Sequence, residues 1–283
     1  MDAPETVSLL GRPLARLEAD AARRSALEAA ERAARERPDD VERLLALGIA
    51  QGRAWRYRDS IATWTRMMDL APGDWRPHCY RGHRRLSIRE LDPGALDLER
   101  ALALGGTASF EVRYHLALAH SLRGDWEKAI EAWRRCLEGA ATDADLYGYA
   151  PEDKTMPAAH WLFMALQRTG RREEAQALLD GIPEGVPVER SPHRETEAYY
   201  EALRFAKGLR TPEALVENPR TQGPYASIAT HALGNWHLSA GRAGPARGWF
   251  ERAAADPLWP AFSVIAAEAE LVRMVVAAPK PVR

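Results

Sequence analysis

Two cysteines in 283 residues, Cys79 and Cys136, are too few for a disulfide framework. Neither stands in a C-x-x-C or a zinc-ligand spacing, so the expectation is two reduced thiols in a cytoplasmic protein. Charge of one sign is lacking too. The 39 Lys and Arg nearly balance 40 Asp and Glu, for a net charge of −1. That excludes a general pull toward nucleic acid or an anionic membrane surface. No apolar run approaches the roughly 18 residues of a membrane span. The opening stretch, MDAPETVSLLGRPLARLEAD, has acidic residues early and only VSLL as an apolar run. No secretory signal is expected from it. Catalytic motifs are missing as well. There is no phosphate-cradling Gly loop, no G-x-S-x-G, no dinucleotide fingerprint and no H-E-x-x-H. Glu173 and Glu174 fall on a solvated helix surface, so no carboxylate dyad is supported. His115 and His120 are five apart and point to diverging helix faces. No cofactor is expected, and nothing in the motifs argues for an enzyme.

The chain does contain self-similarity. LALGIAQGRAWRYRDSIATWTRMMDLAPGD can be laid over LALAHSLRGDWEKAIEAWRRCLEGAATD, WLFMALQRTGRREEAQALLDGIP and HALGNWHLSAGRAGPARGWFERAAADP. Each begins with an apolar helix carrying a small residue and continues through a turn. An aromatic or Leu then closes a second helix. Residues 41–74 place Leu44, Leu47, Gly48, Tyr57, Ser60, Trp64, Met67 and Pro72 in this scheme. Residues 75–108 place Gly82, Gly94, Leu98 and Ala101. Residues 110–143 place Leu116, Ala117, Trp126, Ala129, Trp133 and Cys136. A fourth unit from 156 has Leu162, Gly170, Ala175 and Leu179. The last, 227–260, has Leu233, Gly234, His237, Gly241, Ala246, Phe250 and Ala253.

This pattern resembles the tetratricopeptide repeat, a helix–turn–helix unit of about 34 residues. The resemblance covers residues 41–260. It implies an all-α fold, a right-handed superhelical solenoid of helix pairs with N- and C-terminal capping helices. One helical hairpin alone cannot bury its apolar stripe; stacked neighbours do so jointly. Glycine inside a helix costs roughly 1 kcal/mol against alanine. Gly48, Gly82, Ala117 and Gly234 are therefore expected to serve close approach of the two helices in each unit.

The expected organisation is one continuous array. Residues 1–40 hold an N-terminal segment and a capping helix within 13–37, and 41–143 hold three repeats. An inserted loop, 144–157, carries Tyr147 and Tyr149 in a connection that starts at Asp143. The fourth repeat and a Pro/Gly-rich linker fill 158–194. A worn helix pair follows in 195–226, with Tyr199, Tyr200, Leu203 and Phe205 as its apolar face. The last repeat is 227–260. A capping helix and a frayed tail occupy 261–283, with Trp259 and Phe262 near the start and Val264, Ile265, Ala269 and Val272 as the apolar face.

In such arrays the first helices line the concave side. The resemblance implies that the second, fifth, ninth and twelfth places of each unit face inward. Carried over place by place, these are Arg76, Cys79, His83, Glu111, Tyr114, His160, Met164, Gln167, His231 and Asn235, with Leu45, Ile49 and Leu118 as apolar members. Trp161 and Trp236 lie beside this face. Cys79 with His83, and His231 with Asn235, are four apart and share a helix face. Three of the eight histidines therefore fall on the inner side. The main expectation is an adaptor that binds a protein or peptide segment in the groove, with no nucleic acid and no membrane as partner. The Ala/Arg-rich composition reads as bacterial. The alternative is a small-molecule-binding protein or an enzyme, with His83, His160 and His231 as acid/base groups or, as a third option, metal ligands. Co-chaperone members of the family hold a terminal carboxylate with Lys and Asn at the fifth and ninth places. This chain departs from that at Leu45/Ile49, Cys79/His83 and Tyr114/Leu118.

Overall fold

A computed structural model of the chain describes residues 4–143, 149–186 and 195–276. Tyr147, most of the 181–194 linker and the tail from 277 lie outside the described residues. Within them the fold is all-α, with one two-stranded hairpin.

The chain divides into two compact units, Met1–Ala119 and His120–Arg283. The division falls inside a helix. The first unit opens with β1 (Thr6–Val7) antiparallel to β2 (Pro13–Leu14). Helix α1 (Ala21–Glu36) follows, capped by Asp20, whose carboxylate accepts from Arg23 N. The expected cap started at Pro13; the hairpin takes the first part of it. Glu5 anchors the hairpin, its carboxylate accepting from Arg58 N at 2.9 Å and Arg16 Nε at 3.0 Å. Then come the pairs α2 (Val41–Arg53) with α3 (Tyr57–Leu70) and α4 (Arg76–Ser87) with α5 (Leu91–Ala103), and α6 (Phe110–Arg123), which crosses the division.

The close approach expected of the small residues is present. A Cβ on Gly48 would lie 2.3 Å from Trp64 Nε1. Gly82 and Gly94 bring the α4 and α5 backbones together: a Cβ on either would lie 3.0–3.1 Å from the other's carbonyl oxygen. Three pairs, Gly48/Trp64, Gly82/Leu98 and Gly234/Phe250, share one sequence offset, and each places a glycine of a first helix against a fully buried side chain of the second. Trp55 and Arg89 adopt positive φ at the turns of the first two pairs, where later turns use Gly124, Gly170, Gly208 and Gly241.

The second unit continues with α7 (Trp126–Gly139), α8 (Pro151–Arg168) and α9 (Arg172–Asp180), then α10 (Glu195–Ala206), the short α11 (Pro212–Glu217), α12 (Ala226–Ser239), α13 (Ala243–Ala254) and α14 (Phe262–Val276). The expected loop to Pro157 is shorter than read. Helix α8 starts at Pro151, where a missing N–H costs nothing, and runs through Pro157. Asp153 secures that start, accepting from Ala150 N at 3.2 Å and from Thr196 Oγ1 of α10 at 2.7 Å. Helix α10 packs on both α8 and α12, with Tyr199, Tyr200, Leu203 and Phe205 buried as expected. On α14, Val264, Ile265 and Ala269 are buried, but Val272 is 38% exposed and Leu271 takes the inward place.

Candidate functional site

In the first unit, Cys79 of α4 and Glu111 of α6, read as groove-facing, are buried. Packed neighbours cover them. Burial pushes the Cys79 thiol well up, which keeps it protonated and unreactive. Glu111 accepts from Ser109 Oγ at 2.9 Å. Arg76 is held by Asp74 at 2.7 Å and Glu42 at 2.6 Å. His83 stacks on His115, ring centroids 3.9 Å apart and planes 26° apart, with Tyr114 edge-on to His115 at 5.5 Å. His115 Nδ1 lies 2.8 Å from the Glu111 carbonyl, so Nδ1 carries the proton. Burial pulls His115 down to about 3 and His83 well below its ordinary value. Two neutral rings can stack closely; two imidazolium cations would repel.

In the second unit, α8 carries His160, Trp161, Met164 and Gln167, and α12 carries His231, Asn235 and Trp236. His160 is buried against Tyr199, with centroids 5.2 Å apart. Trp161 stacks parallel to Trp133 at 6.3 Å and lies 5.5 Å from the His231 ring. Burial pulls both His160 and His231 down to about 3. Asn235 settles the His231 tautomer. Its amide nitrogen donates to the His231 carbonyl and lies 3.1 Å from His231 Nε2. An amide NH₂ only donates, so Nε2 is the acceptor and the proton sits on Nδ1.

Helix α14 completes this region. Glu270, 2% exposed, accepts from Arg273 Nη2 at 2.8 Å and lies 3.3 Å from Arg168 Nη2. Both guanidiniums also lie over the Trp126 indole, at 5.2 Å and 5.3 Å from its centroid, within cation–π range. Arg273 Nη1 donates to the Leu122 carbonyl at 3.0 Å, satisfying the last turn of α6. Trp161, Met164, His231, Asn235, Glu270 and Arg273, with Ser121, Trp126 and Ala266, line a narrow cleft. Its free space has room for about one water.

Of the expected groove residues, α8 and α12 thus bring Trp161, Met164, His231 and Asn235 together. Gln167 is half-buried outside the cleft lining. Trp236 is elsewhere on the surface, 40% exposed, with Arg242 stacked over its ring at 4.2 Å and Phe205 edge-on at 5.5 Å. Among the described residues no group of three His, Cys, Asp or Glu is placed to hold a metal, His83, His160 and His231 included. His115, Trp126, Arg168, Glu270 and Arg273 were missed. The one signal for the last two was the interruption of an apolar helix by Glu and Arg, in AEAELVRMVV.

Among the described residues no helix is long and apolar enough to cross a membrane. No family model matches the chain, and no curated protein does. Solved structures do. A tetratricopeptide repeat protein from Parabacteroides merdae ATCC 43184 is 16% identical, over 89% of this chain and 92% of that one, with a TM-score of 0.52. YrrB, described as a TPR protein with an unusual peptide-binding site, is 14% identical over 78% of this chain and 97% of its own, TM-score 0.47. MamA from Desulfovibrio magneticus RS-1 is 21% identical over 56% and 83%, TM-score 0.48.

Proposed function

We propose, for a chain whose fold is that of the tetratricopeptide repeats, that it is an interaction scaffold holding a segment of a partner protein against its first helices. The observation that carries this is Trp236. A large aromatic stands 40% exposed on a first helix, α12, yet is held in place by Arg242 and Phe205. Tryptophan and arginine are among the residues enriched at the energetic hot spots of protein interfaces. Leu209, also 40% exposed, adds apolar surface in the same unit.

The small-molecule and acid/base readings gain no such support. The free space of the cleft, about one water, is far below the roughly 300–1,000 Å³ of drug-sized sites. Histidines pulled down to about 3 are poor general bases at neutral pH.

The test is capture from the native host with tagged wild type and Trp236→Ala side by side. Trp236→Ala should keep the circular dichroism spectrum and thermal midpoint and lose the co-purifying protein. Equal recovery with both would remove Trp236 from the interface and the reading with it.

A further inference from the structure

The cleft between α8, α12 and α14 holds hydrogen-bonding capacity that nothing in the fold uses. Trp161 Nε1, His231 Nδ1, Arg273 Nε and Glu270 Oε2 are all buried and have no hydrogen-bond partner. All four residues line the same narrow space. A buried polar atom left unpaired costs roughly 1–3 kcal/mol. Three of them, Trp161 Nε1, His231 Nδ1 and Glu270 Oε2, argue for an occupant that pairs with them; Arg273 already spends two N–H groups on Glu270 and the Leu122 carbonyl.

The chemistry of these atoms defines that occupant. Trp161 Nε1 can only donate. His231 Nδ1 carries the ring proton, because Asn235 donates to Nε2. Glu270 Oε2 can only accept: Arg168 is near it, at 3.3 Å, but outside hydrogen-bond geometry. The occupant must therefore both accept and donate. A carboxylate satisfies the donors but carries no proton to give Glu270 Oε2, so two acceptor oxygens would face each other with nothing between them. An ammonium fails at both aromatic N–H groups. The size of the space, about one water, excludes a bulky amide.

We propose that this cleft is a subsite for one neutral hydroxyl group, its oxygen accepting from Trp161 Nε1–H and His231 Nδ1–H and its proton donated to Glu270 Oε2. The carbon bearing the hydroxyl sits at the mouth. Resting on the scaffold reading, the hydroxyl is that of a serine or threonine in the bound segment; the cleft's own chemistry does not depend on it.

The experiment uses the full chain with ¹⁵N-labelled tryptophan. The Trp161 indole N–H signal is assigned by its loss in Trp161→Phe, and the exposed Trp236 signal reports bulk solvent effects. Ethanol and sodium acetate, two probes of similar size, are titrated at constant ionic strength. Ethanol should move the Trp161 signal saturably while Trp236 only drifts, and acetate should not. Glu270→Gln should weaken the ethanol response about tenfold and admit acetate, since two guanidiniums are then left without a counter-charge. Saturable binding of acetate to the wild type would show an anion site instead. No saturable response to either probe would show a cleft closed to everything but water. Either result overturns the proposal on the wild type alone, whatever the stability of Glu270→Gln. Partner capture by Trp236→Ala reads the scaffold proposal separately, so each can fail without the other.

Discussion

Two glycines placed in helices show how much a single Cβ decides. Gly48 faces the ring of Trp64, a side chain with no exposure; Gly248 of α13 faces nothing within 4 Å. Helix propensity favours alanine at both by up to about 1 kcal/mol. At Gly48 the new methyl would overlap a ring that cannot move, an overpacking cost of about 1–3 kcal/mol. Gly48→Ala should therefore lower the urea midpoint and Gly248→Ala should raise it. A rise in both would mean that α2 and α3 pack less tightly than described. The buried histidines make a second residue-scale prediction. His115, His160 and His231 fall to about 3 in the folded chain against an ordinary value near 6.5. The unfolded state thus binds protons first as pH drops. Their stabilising effect is complete above about 6.5 and is lost progressively toward 3, by up to about 1.4 kcal/mol per pH unit for each. Urea midpoints should already fall between pH 7 and 5.5, above the carboxylate range. His160→Gln should flatten that slope; an unchanged slope would show that His160 does not titrate on unfolding.

At the scale of elements, burial ranks the helices. Helix α1 buries only Leu27 and Ala34 along its 16 residues, whereas α12 buries nine consecutive residues, Ser227 to Asn235. Helix α1 should open locally at low free energy and α12 only near global unfolding. Amide hydrogen exchange should find the α1 amides fast and the α12 amides among the slowest; the reverse order would contradict the packing. The start of α8 depends on one side chain. Asp153 caps its own helix and accepts from Thr196 of α10. Asp153→Ala removes both bonds and leaves a buried hydroxyl unpaired, so a loss of about 1–3 kcal/mol is expected in denaturant unfolding. A loss below half a kcal/mol would mean that water replaces the carboxylate. The Pro157 boundary was misread because proline is a poor interior helix residue on average. Here the helix had already been started by Pro151 and Asp153, and the surrounding packing carries it across the missing bond.

Over the whole molecule, the repeat was legible because stacking imposes it locally. Each helix pair must present a small residue to a large one at a fixed spacing, and that demand is written within about 34 residues of chain. Gly48, Gly82 and Gly234 could be read as contact points for this reason, and the buried faces of α10 and most of α14 followed from periodicity. Inward-facing places were legible only by position. The structure buried Cys79, Glu111, His160 and His231 and left Trp236 at the surface, since burial depends on which neighbour covers a face. The cleft was not legible at all. Trp161, His231 and Glu270 lie on three helices far apart in the chain, and no local rule links them. What the amino-acid order determined by itself was the two-helix unit, its small-to-large contacts and its neutral charge balance. Only tertiary packing decided that Arg168 of α8 meets Glu270 and Arg273 of α14 beside neutral imidazole and indole N–H groups, because burial and hydrogen-bond pairing are properties of what surrounds a side chain.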